Sequence, residues 1–440
     1  MKKAGIDLRR YHSKVRLGSL RVDGQVTQVL GLLVEGTARD AAVGDIYRIE
    51  TSKGDVLAEV VALRGEQAVL MPFGHLAGLR VGARLTPVGE ESGISVGPQL
   101  KGRVLDAIGR PLDGKPLAMG GVRRAVFANP PPPLSRPALT EPLSLGVRAL
   151  DAFVPCARGQ RLGIFAGAGV GKSSLLGMIA RHTAADVVVL ALVGERGREV
   201  GHFVDQVLGP AGMAKSVVVV ATSDRPAPER VRAAFVATTI AEYFRDEGAS
   251  VLLFVDSLTR LCMGQRQIGL AVGEPPTTKG YPPSSFALLP SLLERACPVK
   301  GGGSVTGLYT VLVEGDDLAD PVSDTARSLL DGHIVLSRRL AEQGHYPAID
   351  ILQSLSRLEP EIVTPEQLKA TRRVRTWLSR LEDARDLIAV GAYRAGADPL
   401  LDEALRRQER MGAFLRQAIQ ERAEMGQTLR DLCALTQEAV

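Results

Sequence analysis

The chain has 440 residues, 45% of them hydrophobic, 23% charged and only 4% aromatic, with 47 glycines. These proportions exclude a wholly disordered protein and predict two or three domains, with aliphatic cores and many tight turns. The formal charge of +5, spread over this length, allows an acidic partner without pointing to nucleic acid.

Residues 1–19 place Leu8, Tyr11, Val15 and Leu17 among Lys2, Lys3, Arg9, Arg10, Lys14 and Arg16. They lack the apolar stretch of a secretory signal and are consistent with an amphipathic helix. Residues 20–118 carry short β-type runs (25–34, 46–50, 56–63, 67–71) broken by Gly and Asp, the pattern of a small antiparallel barrel. The stretch KGRVLDAIGRPLDG closes this region. A connecting segment, 119–142, follows, and its Asn129-Pro130-Pro131-Pro132-Pro133 run reads as an extended linker. Residues 143–363 alternate continuous apolar strands (162–166, 187–193, 216–221, 251–255, 306–313, 333–336) with helical stretches such as 173–182 and 230–246. Unbroken apolar strands suit a parallel sheet covered on both faces, and the expectation is an α/β domain. Residues 364–440 become helical and rich in Arg and Glu, with Leu401, Leu405, Met411, Phe414, Leu415, Ala418 and Ile419 spaced for one helical face. The longest apolar runs are strand-length, well short of the ~18 residues needed to span a bilayer. Four cysteines without a CxxC pair are no disulfide framework and fit a reducing compartment.

The chemistry concentrates in the α/β domain. Ala166-Gly167-Ala168-Gly169-Val170-Gly171-Lys172-Ser173 follows an apolar strand and opens a helix, the context of a phosphate-binding P-loop, with Ala166 where the first glycine is usual. Backbone N–H groups and the helix N-terminus would cradle phosphate, Lys172 would reach the β- and γ-phosphates, and Ser173 would ligate Mg²⁺. The apolar run 251–255 ends in Asp256, which would hold the metal's hydration shell. The Gly194-Glu195-Arg196-Gly197-Arg198-Glu199 loop directly follows another strand. Glu195 is the candidate general base and Glu199 the runner-up. The six histidines and four cysteines show no zinc spacing, so Mg²⁺ is the only metal expected.

These motifs, with DSLTR, GEPPTTKGYPPSSFALLPSLLERA, GLYTVLVEGDDLADPVSD, LLDGHIVLSR and GHYPAIDILQSLSR, resemble the type III protein-export ATPases, relatives of the catalytic subunit of rotary ATP synthases. The GEPP and YPPS elements are similar to the export branch rather than the synthases. GHYP and SVVVVATSD are closer to its flagellar than its injectisome members. The resemblance implies an N-terminal antiparallel β-barrel, a central α/β P-loop (RecA-like) nucleotide domain and a C-terminal α-helical domain. It implies that Arg357 is an arginine finger acting on a neighbouring subunit's γ-phosphate, that Tyr346 stacks on adenine, and that Arg196 lines the phosphate pocket. Ser174, where Thr is frequent, is a neutral change. Ala296-Cys297-Pro298-Val299-Lys300 departs from the family's turn.

The implied assembly is a homohexamer in the cytoplasm, peripheral at the inner membrane face. The implied partners are a stator-like regulatory protein docked by residues 1–19, membrane proteins of the export gate, and chaperone–substrate complexes. Three other readings compete: an injectisome ATPase, an F- or V-type synthase subunit, and a ring-shaped nucleic-acid translocase. The last would need a basic, aromatic surface, and the barrel region has only Tyr47 and Phe73 with no such cluster. A non-catalytic nucleotide-holding subunit sits poorly with Lys172, Glu195 and Arg357 in one chain.

Overall fold

The computed structural model describes residues 23–88, 93–117, 120–313 and 320–437, so the helix expected in residues 1–19 lies outside the described residues. The chain divides into two compact units, the first ending at Ser92 and the second beginning at Gly93.

In the first unit β1 (Gly24–Leu30), β2 (Leu33–Thr37), β3 (Ile46–Ile49), β4 (Val56–Arg64), β5 (Gln67–Pro72) and β6 (Arg84–Pro87) close into an antiparallel barrel, in the order β1-β2-β5-β4-β3-β6. Val26, Val34, Ile49, Val60, Leu70 and Leu85 fill it. Closure is tight at Gly36, where a Cβ would lie 2.3 Å from Leu85 Cδ1. Tyr47 and Phe73 are buried, so neither ring is free to stack on a nucleic-acid base.

The second unit contains β7 (Ile94–Val96), β8 (Arg103–Asp106), β9 (Val122–Arg124), β10 (Pro142–Leu143), β11 (Cys156–Ala157), β12 (Arg161–Ala166), β13 (Val187–Val193), β14 (Ser216–Ala221), β15 (Ser250–Asp256), β16 (Ser304–Leu312), β17 (Gly332–Leu336) and β18 (Ile349–Ser356). Eight of these form one sheet, ordered β18-β17-β12-β16-β15-β13-β14-β8. All its pairings are parallel except β17 with β18. Every residue of β13, β14 and β15 is buried, which is why these segments read as unbroken apolar runs.

Two expectations need correction. Residues 93–117 belong to the second unit, not to the barrel, because β8 adds to β14 as the sheet's outer strand. The GRPLDG turn folds back on β8, with Leu112 N donating to Val104 O. Arg103 clamps Asp113 through Nε (2.6 Å) and Nη2 (2.8 Å), and that pairing holds the Asp113 carboxyl well below the usual carboxylate range. The C-terminal helical face also stops sooner than its spacing suggested. The helix Pro399–Leu415 buries Leu401, Met411, Phe414 and Leu415, whereas Ala418 and Ile419 lie beyond its end and are exposed. The chain leaves the helix at Arg416 in an extended conformation, and buried Gln417 ties it to Arg148 N and Gly146 O.

The connecting segment is pinned rather than loose. Arg295 is fully buried. Its Nε and Nη2 grip Glu242 at 2.9 and 2.5 Å, and its Nη1 donates to Val126 O at 2.7 Å. Removing one partner of a buried pair leaves an uncompensated charge. Arg295→Ala is therefore expected to cost about 3–5 kcal/mol, read as a lower urea midpoint. Combining Arg295→Met with Glu242→Leu should recover most of the loss.

Candidate functional site

β12 delivers the phosphate-loop motif to the carboxyl edge of the sheet, the edge where ligands bind in open α/β folds. After Ala166 the chain turns through Gly167, Ala168, Gly169, Val170 and Gly171 into the helix Lys172–His182. Gly169 (φ +79°) and Gly171 (φ +92°) adopt left-handed conformations that a side chain would strain. Val170 is buried and anchors the loop, while Ala168, Gly169 and Ser173 are exposed at its mouth.

Lys172 meets two carboxylates brought by neighbouring strands. Its Nζ lies 2.5 Å from Asp256 Oδ1 at the end of β15 and 3.3 Å from Glu195 Oε1, two residues beyond β13. Burial works to lower the Lys172 pKa, but the charges of Asp256 and Glu195 outweigh it and hold the ammonium above its ordinary value. Burial raises the Glu195 carboxyl above the usual range; Lys172 opposes that rise and Asp256 adds to it. Asp256 Oδ1 also accepts from Thr310 Oγ1 at 2.6 Å, which fixes the carboxylate against β16. Among the described residues no hydrogen bond is directed at Asp256 Oδ2. With the exposed Ser173 hydroxyl this makes a pair of hard oxygen donors that fits Mg²⁺.

The other candidate residues are distributed unevenly. Glu199 is half exposed and engages the exposed Arg196 at 3.4 Å, one helical turn away. Arg196 therefore points along the helix Gly197–His202 toward Glu199 and is not among the groups paired around Lys172. The arginine that does approach is Arg260. Its stem packs on Gly194, where a Cβ would lie 3.1 Å away, and its Nη1 donates to Gly194 O at 3.2 Å. It acts on Glu195 as a nearby positive charge. Sequence reasoning gave Arg260 no role, although it stands in DSLTR, four residues after Asp256 and one turn into the next helix.

Tyr346 packs over the loop: a Cβ on Gly171 would meet its ring at 3.5 Å. Beside it lies a 280 Å³ cavity bounded by Ser174, Leu175, Met178, Tyr346, Pro347 and the Gln417–Ile419 segment. The contribution from residues 417–419 had no sequence signal, since it arises 250 residues after the loop.

Arg357 is absent from this cluster. Ser356 pairs with Gly332 at the start of β17, whereas Ala166, which leads into the loop, pairs with Leu336 at its end. At 3.3 Å per residue, four residues of strand separate the two levels by about 13 Å, placing Arg357 at the opposite edge of the sheet. There it is exposed, its N–H donating to Asp331 O and its Nη2 to Arg327 O.

The ATP synthase alpha/beta family, nucleotide-binding domain, matches residues 146–356, and the T3SS EscN ATPase C-terminal domain matches residues 363–434. The chain is 49% identical to a flagellum-specific ATP synthase of Pseudomonas aeruginosa, covering 94% of this chain and 93% of that protein. It is 45% identical to a type 3 secretion system ATPase of Xanthomonas euvesicatoria, with 94% of each covered. The assembled ATPase EscN of the enteropathogenic E. coli type III secretion system superposes with a TM-score of 0.88 at 45% identity, covering 94% of this chain and 99% of EscN. EscN in complex with its central stalk EscO gives 0.87 at 44% identity, with the same coverage. The chain belongs to the ATP synthase alpha/beta family, in its type III secretion and flagellar export branch, and is an ATPase.

Proposed function

We propose that this chain hydrolyses MgATP at interfaces between identical copies, in a homohexamer, and that turnover drives protein export through a flagellar type III apparatus. One observation carries the reading: Lys172, Glu195 and Asp256 are assembled at the loop in a chain whose own Arg357 lies at the far edge of the sheet. A site with its base and phosphate lysine in place, and its finger about 13 Å out of register, is one that a second copy completes.

The residues then divide the work. N–H groups of Gly167 to Ser174 hold the phosphates at the helix N-terminus, and Lys172 exchanges its carboxylate partners for β- and γ-phosphate oxygens. That exchange frees Glu195 to orient a water and take its proton. Ser173 and Asp256 would hold Mg²⁺, which when bound offsets negative charge on the phosphate oxygens. Arg260 lends positive charge near Glu195, and Arg357 of the adjacent copy neutralises charge developing on the γ-phosphate. Tyr346 carries the base on its ring.

The flagellar assignment is supported by GHYP and SVVVVATSD, and by 49% identity to a flagellum-specific relative against 45% to a secretion-system one. EscN bound to its central stalk supports a stalk- or stator-like regulatory partner here. Among the described residues no helix is long and apolar enough to cross a membrane, consistent with a cytoplasmic protein held peripherally at the inner membrane by the export gate. Release of chaperones from export substrates is the work we assign to the motor.

Affinity purification from the native cell tests the biology. Flagellar export components should co-purify, and recovery of virulence-secretion components instead would move the protein to the injectisome. Specific ATPase activity should also rise with protein concentration as rings assemble, and an activity independent of concentration down to the nanomolar range would count against shared sites.

A further inference from the structure

An arginine that acts on a neighbouring copy has to be aimed. Productive geometry tolerates displacements of only about 0.5 Å, so a long exposed side chain needs a fixed base. The Arg357 side chain is exposed, with its Nη2 on Arg327 O at 3.2 Å. What the fold holds firmly is the backbone it springs from.

Arg357 N donates to Asp331 O at 2.9 Å. The same carbonyl accepts from Gln160 Nε2 at 3.2 Å, and that amide also donates to the hydroxyl of Ser356, the residue before the arginine, at 3.0 Å. Gln160 is fully buried, and its Oε1 accepts from Ala157 N at 2.8 Å, which fixes the way the amide faces. Beside it, Arg161 and Asp331 clasp each other. Asp331 N donates to Arg161 O at 2.8 Å, and Asp331 Oδ2 accepts from Arg161 N at 3.1 Å and Nε at 3.2 Å. Glu294 is a second partner of Arg161 and is itself held by Arg136 Nη1 at 2.5 Å. Packing at this level is close: a Cβ on Gly332 would lie 2.4 Å from Leu355 O and 2.9 Å from Leu162 Cδ2. The starts of β12 and β17 and the end of β18 are thus tied together where Arg357 departs.

We infer that Gln160, with Arg161 and Asp331 behind it, is a positioning residue for the arginine finger, fixing the backbone from which Arg357 reaches the next copy's nucleotide. The inference rests on the shared-site reading above. Gln160 also stands at the start of the strand that delivers its own chain's phosphate loop. Two routes are therefore open to it, along β12 to that loop or across to Ser356 and the finger. Its Nε2 bonds take the second.

The test is complementation in mixed rings of the full-length protein. Gln160→Met keeps most of the bulk and loses both donated bonds. It should bind N-methylanthraniloyl-ADP normally while kcat falls by roughly tenfold to 10²-fold, the scale of a misplacement of about 1 Å. Mixed with Glu195→Gln it should recover activity, since about a quarter of the interfaces join its intact loop to a well-placed finger. Mixed with Arg357→Ala it should recover none, because neither copy supplies such a finger. The reverse pattern would show that Gln160 acts on its own loop. That pattern, recovery with both partners or with neither, or undiminished turnover each overturns the inference. Should Gln160→Met not assemble, Asp331→Asn, at a partly exposed position, goes through the same mixtures with the same pattern expected. If Arg357→Ala and Glu195→Gln do not complement each other, the shared-site reading fails and the positioning role with it. If they do, a wrong pattern for the Gln160 variant sinks only the positioning role.

Discussion

Glu195→Gln should bind MgATP with near-normal affinity and lose turnover by ~10²-fold or more, the scale expected when a general base is removed. The amide keeps the size and most of the packing of the carboxylate but cannot accept a proton. It also takes away one of the two negative partners of Lys172, 3.3 Å away, while leaving Asp256 at 2.5 Å to hold the ammonium. Affinity and turnover should therefore separate. The measurements are fluorescent nucleotide binding and steady-state phosphate release. Near-normal hydrolysis would pass the role to Glu199, whose half-exposed carboxylate is engaged by Arg196. The pH profile gives a second reading. A base must be ionised to work, and burial raises the Glu195 pKa. The acid limb of kcat/KM should accordingly lie above the ordinary carboxylate range, with activity lost as pH falls through the raised value. An acid limb at the ordinary value would contradict the desolvated position of Glu195.

Arg357→Ala should lower kcat by about 10³-fold or more, as removal of an arginine finger does, with little change in nucleotide affinity. The distinctive result comes from mixing. Each Arg357→Ala copy retains its own Lys172, Glu195 and Asp256, and each Glu195→Gln copy retains Arg357. In a random equimolar ring about a quarter of the interfaces pair an intact loop with an intact finger, so two nearly inactive proteins should together recover activity. Mixed rings verified by differential tagging that stay inactive would show that Arg357 does not act across the interface. Its place just after β18, level with the start of β17 and about 13 Å from the level of the loop, leaves little scope for action within its own chain. An Arg357→Lys variant should recover only part of the rate, because an ammonium cannot reproduce the planar fork of a guanidinium.

Much of the site was legible in the residues because its features are local. The phosphate loop, its glycines and the helix it opens run consecutively from Ala166 to His182, and their chemistry depends on neighbours in the chain. The parallel strands announced themselves because a strand buried on both faces has to be apolar throughout, as β13 and β15 are. β18 was recognisable as a motif but not as a strand. It is the one antiparallel member, at the edge of the sheet, and its exposed Leu352, Gln353 and Leu355 break the apolar run. The KGRVLDAIGRPLDG segment resembled the barrel because its short strand and turns have the same local grammar. Only its pairing with β14, more than 100 residues later, assigns it to the sheet.

By itself, then, the sequence determined that the protein has a phosphate-loop motif on an α/β sheet, a carboxylate at a neighbouring strand end, and a barrel and a helical region flanking them. The tertiary structure decided which charged groups meet. It brought Glu195 rather than Glu199 to Lys172, because the Gly194 turn carries the first inward and the helix Gly197–His202 carries the second to the surface. It set the Arg260 stem on Gly194, placed Arg357 at the opposite edge, and brought Gln417, its amide already engaged, to the cavity beside Tyr346. Those outcomes depend on strand order and on contacts across 20 to 270 residues, where composition and spacing carry no information about which side chains share a few ångströms of space.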